Sequence, residues 1–199
     1  MNNKLQAVDS IAPVGAESSG GVVDPVKKEY EEGKRFFENK DYGQAAAALH
    51  NALVAYEEKN DEAGVANACN FLGKVCLARD DNDNALKHFQ RVLAICEESN
   101  DRMSIIAVLQ QIVQTYKNLE MYEKSIAAGL DLLDHYQDNR DVQGAVTTLE
   151  EMADIYLKDG KSMKAADAYK TISSIHKNFG HDNMAAKFLE KSEKLAESS

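Results

Sequence analysis

The chain has 199 residues, 44% hydrophobic and 28% charged, the balance of one ordinary domain or one repeat array. Its 33 acidic residues outweigh 23 basic ones, for a formal charge of −10. That argues against nucleic acid as a partner, because binding a phosphate backbone requires a Lys/Arg footprint to displace counterions. No apolar run reaches the length of about 18 residues that a membrane span requires.

Residues 1–23 are rich in Ser, Gly and Ala and lack periodicity, so they read as a flexible N-terminal tail. They have no sustained apolar stretch of the secretory kind, and a cytoplasmic location is expected. Regular structure is predicted to start at Asp24-Pro25, where aspartate caps a helix and proline suits its first position.

From there the pattern is helix, short turn, helix. Val26, Gly33, Phe36 and Phe37 share one face of the first helix, and Ala45, Leu49, Ala52 and Tyr56 one face of the second. The chain is then punctuated at Lys59-Asn60-Asp61, Ser99-Asn100-Asp101, Asn139-Arg140-Asp141 and Asn178-Phe179-Gly180. A last helix is expected over about Asp182–Ala196, with Ala185, Phe188, Leu189, Ser192 and Leu195 on one stripe and Lys/Glu opposite. Such a one-sided helix would close an array. The expected total is nine helices.

Ala45, Ala85, Ser125 and Ala165 recur at a step of 40 residues, and so do Asp61, Asp101 and Asp141. A period of about 20–50 residues marks stacked repeats, in which no unit buries its apolar face alone. The first helices carry Cys69-x2-Leu72-Gly73-x2-Cys76, Leu109-x2-Ile112-Val113-x2-Tyr116 and Leu149-x2-Met152-Ala153-x2-Tyr156. The second helices carry Ala85-x3-Phe89, Ser125-x3-Gly129 and Ala165-x3-Tyr169. The first unit, with Glu29, Glu32, Gly33 and Phe36, then Ala45 and Leu49, follows the same frame.

These units resemble tetratricopeptide repeats. The resemblance covers residues 25–197 and implies an all-α, right-handed superhelical solenoid of antiparallel helix pairs. Residues 24–180 would form four repeats and residues 181–199 a C-terminal capping helix. The usual proline after the second helix is missing. The longer period is similar to that of adaptors with extended repeats, such as the kinesin light chains and spindle-orientation adaptors.

The resemblance also implies that the first helix of each pair lines a concave surface. The matching positions give Asn67, Asn70 and Lys74 in the second unit, Gln110, Gln111 and Gln114 in the third, and Glu150, Glu151 and Asp154 in the fourth. Amides offer both donor and acceptor to a peptide backbone, and the carboxylates select charge. The expected function is an adaptor or scaffold holding an extended or helical segment of a partner protein. The alternative is a chaperone for an aggregation-prone secreted or membrane client, which would favour an apolar groove over this polar one.

Chemistry-bearing motifs are lacking. Cys69, Cys76 and Cys96 have no CxxC spacing and read as reduced core residues. The five histidines form no HExxH pair, and Asp81-Asn82-Asp83-Asn84 lacks the central glycine of a calcium loop. Gly15-x4-Gly20 is not followed by Lys-Ser/Thr. Neither catalysis, metal nor cofactor is expected, and the oligomeric state is open.

Overall fold

The computed structural model describes residues 24–197, so the expected tail at 1–23 lies outside the described residues. The described residues form nine helices and no strand: α1 (Pro25–Glu38), α2 (Tyr42–Glu58), α3 (Glu62–Ala78), α4 (Asn82–Glu98), α5 (Arg102–Asn118), α6 (Tyr122–Asp138), α7 (Val142–Lys158), α8 (Ser162–Asn178) and α9 (Asp182–Glu197). None of these is long and apolar enough to cross a membrane.

The turns set the period. Lys40, Asn60, Asp80, Asn100, Glu120, Arg140, Gly160 and Gly180 all have φ between 53° and 72°, the left-handed conformation that ends a helix. After each comes an amide that reaches five residues back, as in Asp81 N–H to the Cys76 carbonyl at 2.9 Å and Lys161 N–H to the Tyr156 carbonyl at 2.8 Å. A Schellman closure therefore recurs every 20 residues, half the step visible in the sequence. The longer repeat is taken up by the helices: α2 through α8 have 17 residues each.

Aspartate starts most helices. The Asp24 carboxylate accepts from Val26 N–H at 3.1 Å, Asp61 from Gly64 at 3.0 Å, and Asp141 from Gly144 at 2.9 Å. Asp81 accepts from Asn84 N–H at 3.3 Å, so Asp81-Asn82-Asp83-Asn84 is a helix cap. Met121 and Lys161 occupy the same position without a side-chain cap.

The helices fall into two compact units, one ending at Thr115 and the other starting at Tyr116. In the first, α1 packs on α2, α2 on α3, and α3 on α4. Leu49, Phe89 and Val92 are fully buried there, and so is Cys69. Close approach of paired helices requires glycine. A Cβ on Gly33 would come within 2.7 Å of Leu49, and one on Gly73 within 2.6 Å of the Phe89 ring. The buried thiols of Cys69 and Cys96 are both pushed up to about 11 by desolvation, in keeping with inert core residues.

In the second unit, α6 packs on α7, α7 on α8, and α8 on α9. Val146, Ala153, Ala165, Tyr169, Ile172 and Phe188 form its core. The α9 stripe differs from expectation at Leu189, which is 41% exposed, whereas Ala185, Phe188 and Ser192 are buried. The Ser173 hydroxyl donates to the Ala185 carbonyl at 2.7 Å and ties α9 to α8. Gly129, in place of the usual aromatic, lets Met152 approach closely: a Cβ there would lie 3.1 Å from Met152 Cγ.

Candidate functional site

Residues 67, 70, 71 and 74 fall within about a third of the circumference of α3, given 3.6 residues per turn. That face of α3 carries Asn67, Asn70, Phe71 and Lys74, and Phe71 packs against Tyr30 and Lys34 of α1. The structure corrects the expectation of an open amide surface at one point. Asn70 is only 3% exposed and lies in the packed interior, not on an open surface. Phe71 is likewise 5% exposed, its ring edge-on to Tyr30 at 5.9 Å and to Phe37 at 5.9 Å.

Two half-buried lysines stand over this aromatic floor. Lys74 Nζ lies 4.7 Å from the Phe71 ring centroid, and Lys34 Nζ lies 5.5 Å from the same ring and 5.4 Å from Tyr30. Lys34 also pairs with Glu31 at 3.2 Å. Two polar atoms in this group are buried and have no hydrogen-bond partner among the described residues, Asn67 Oδ1 and the Tyr30 hydroxyl. Desolvation pushes the Tyr30 phenol well above its ordinary value. A buried unpartnered polar atom costs about 1–3 kcal/mol, a cost that an incoming donor or acceptor removes.

On α5, one repeat further along the same unit, Gln110 is exposed and Gln111 and Gln114 are half-buried. They match the α3 positions by register, Gln110 to Asn70, Gln111 to Phe71 and Gln114 to Lys74. The Gln111 carbonyl accepts from the buried Thr115 hydroxyl at 2.6 Å.

Glu150, Glu151 and Asp154 belong to the second unit, on α7. The first two are half-buried and Asp154 is exposed. Asp154 accepts from the Tyr169 hydroxyl at 3.4 Å. Burial, then the neighbouring Asp154 charge, raises the Tyr169 phenol above its ordinary value. The two faces therefore differ in chemistry, with amides and ammonium groups in the first unit and carboxylates in the second. No group of three or more metal-binding side chains occurs among the described residues.

Tyr30 and Lys34 hold, in the first unit, the register positions of Asn70 and Lys74 in the second, and the structure sets both against Phe71.

The tetratricopeptide repeat pattern matches residues 68–103, which run from α3 into the start of α5. No curated protein matches the chain in sequence. Among solved structures, the STAND signal-transduction ATPase PH0952 of Pyrococcus horikoshii, which carries a tetratricopeptide repeat sensor, superposes with a TM-score of 0.71 at 18% identity. That match covers 88% of this chain and 30% of the ATPase. The apo form of RapI gives a TM-score of 0.67 at 18% identity over 84% of this chain and 62% of RapI. The Rap conjugation gene regulator of plasmid pLS20, in complex with the Phr* peptide, gives 0.59 at 13% identity over 87% of this chain and 53% of the regulator. These chains are longer than this one, and at such identities the likeness is one of fold.

Proposed function

We propose that this chain, a tetratricopeptide-repeat protein, is a non-enzymatic adaptor that holds a segment of another protein on the polar faces of its first helices. The observation that carries this reading is the pair of buried, unpartnered polar atoms, Asn67 Oδ1 and the Tyr30 hydroxyl, beside two ammonium groups on an aromatic floor. A peptide backbone supplies the N–H and C=O that would satisfy them. The pLS20 regulator, of similar fold, is in complex with a peptide, which supports a peptide as the occupant. The polar character of both faces favours this over a chaperone that shields apolar clients.

The test is capture of partners by the full chain, followed by calorimetry on whatever is retained. Each lost hydrogen bond contributes about 0.5–1.5 kcal/mol net. Asn67→Ala with Gln110→Ala and Gln114→Ala should therefore weaken binding by roughly one to three powers of ten, at about 1.4 kcal/mol per tenfold. Reversing Glu150, Glu151 and Asp154 to Lys should weaken a basic partner and reduce its salt sensitivity. Undiminished binding by both variants would place the interaction elsewhere and end this reading.

A further inference from the structure

The second unit contains an apolar cleft of about 470 Å³ between the C-terminal end of α6, the first half of α7 and the C-terminal end of α8. Its walls include Leu133, Leu149 and Ile175, and its rim carries Phe179, which is 59% exposed, and Val142, which is 37% exposed. It does not coincide with the carboxylate face. At 100° per residue, Val142, Ala145 and Leu149 point to nearly the opposite side of α7 from Glu151 and Asp154.

Moving back two repeats, to the equivalent place in the first unit, shows how unusual these residues are. Gln137, Val142, Thr171 and Asn178 stand where the first unit has Glu57, Glu62, Arg91 and Glu98. There, Arg91 and Glu57 reach across the gap and form an ion pair at 2.5 Å. In the second unit the four charges are gone, the bridge cannot form, and Phe179 replaces Ser99 at the edge. Phe179 and Val142 therefore leave a continuous apolar patch at the mouth of the cleft, the kind of surface that marks an interaction site.

One charge has been added. Arg140 lines the cleft where the first unit has Asn60, and its guanidinium enters no ion pair among the described residues. The neighbouring Asp141 carboxylate is already engaged as the cap of α7, accepting from Gly144 N–H at 2.9 Å. The site thus offers apolar volume within the roughly 300–1,000 Å³ range of binding pockets, together with a cation at its mouth.

We infer that this cleft is a second docking site, which takes a partner segment presenting adjacent aliphatic or aromatic side chains flanked by a carboxylate. The side chains fill the space between α7 and α8, and the carboxylate pairs with Arg140 in the bidentate geometry that guanidinium favours. The site is separate from the polar faces of the first helices, and either can fail without the other.

The test uses the full chain and two short fluorescent peptides, each with a Leu-Phe pair, one flanked by glutamates and the other by lysines. Anisotropy should show saturable binding of the glutamate peptide and weaker binding of the lysine peptide. Gln137→Glu together with Thr171→Arg restores the bridge of the first unit and should reduce affinity by about tenfold or more. Arg140→Asn, at an exposed turn, should leave folding intact and remove the preference between the two peptides. Thermal melts followed by circular dichroism check that each variant is folded. If the double variant unfolds, Arg140→Asn decides alone. Absence of binding, equal binding by the bridged variant, or a preference for the lysine peptide would overturn the inference. So would concentration-dependent self-association that the bridged variant abolishes, which would make the occupant a second copy of this chain.

Discussion

The two units share a skeleton and differ in what they do with it. Tyr56 and Gly64 in the first correspond to Tyr136 and Gly144 in the second, and the contact is nearly the same. A Cβ on Gly64 would lie 2.2 Å from the Tyr56 ring, and one on Gly144 2.3 Å from the Tyr136 ring. The residues that hold one helix pair to the next are thus repeated, whereas the bridge of Glu57 and Arg91 gives way to Gln137 and Thr171. Packing positions carry the fold through each copy, and the positions between them are free to diverge into different surfaces. In a stacked array each unit contacts only its neighbours, so stability is local and the units can be perturbed one at a time.

The largest expected effect tests that locality. Phe89 is fully buried, and Phe89→Ala should cost about 3–5 kcal/mol. Hydrogen exchange should then show amides of α3 and α4 opening while those of α7 and α8 keep their protection. Tyr169→Ala, at the corresponding place in the second unit, should reverse the order. Equal loss of protection in both units would break the comparison.

Gly64→Ala and Gly144→Ala come next, each costing about 1–3 kcal/mol by forcing a methyl group into a tyrosine ring. Urea denaturation should give similar losses for the two, since the contacts are alike. A large difference would mean that one joint is more yielding than its geometry indicates.

Alkali should separate the units chemically, because all three cysteines lie in the first. The folded pKa of the Cys69 and Cys96 thiols is raised from 9.0 to about 11, so the folded state holds its protons more tightly than the unfolded state. Their contribution is full below pH 9 and is lost as pH rises towards 11, by about 1 kcal/mol per thiol at pH 10. Urea midpoints should fall over that range, and Cys69→Ala with Cys96→Ala should flatten the fall. The second unit, with Tyr169 raised from 10.0, should begin to respond only at higher pH.

The smallest effects are at the turns. Lys40 and Glu120 hold φ of 61° and 57°, a conformation in which a side chain is strained. Lys40→Gly and Glu120→Gly should each stabilise by about 0.5–1 kcal/mol in thermal melts. Gly160→Ala should cost about 1 kcal/mol from backbone strain alone, since a methyl group there meets nothing within 4 Å.

Much of the skeleton was readable in advance because its punctuation is chemical. An aspartate that caps the next helix marks a joint whatever the tertiary context, most plainly after an asparagine tolerant of left-handed backbone, as at Asp61 and Asp101. The expected helix boundaries at Asp24 and Asp141 also fall on capping aspartates. The burial of Asn70 and Phe71 was not readable. Position on α3 says which way each points but not how deeply it packs, nor that the rings of Tyr30 and Phe37 stand edge-on to Phe71. The cleft was hidden for another reason. It arises from charges that are missing, and Gln137 or Thr171 looks unremarked until set against Glu57 and Arg91 two repeats earlier.

The recurrence of one left-handed residue every 20 positions also makes the length of the protein a quantised variable. Excising residues 42–81 would join Asp41 to Asn82 and leave an aspartate at the head of α4, where one stood before. Gly33 would face Phe89 in place of Leu49, and Phe89 already fits against a glycine at Gly73. A cut that is not a whole multiple of this step would place a joint out of phase, with a helix end meeting the middle of its successor. Shortening or lengthening the chain is therefore easy in whole helix pairs and costly in fractions, so that gene duplication can extend the array without redesigning the junctions.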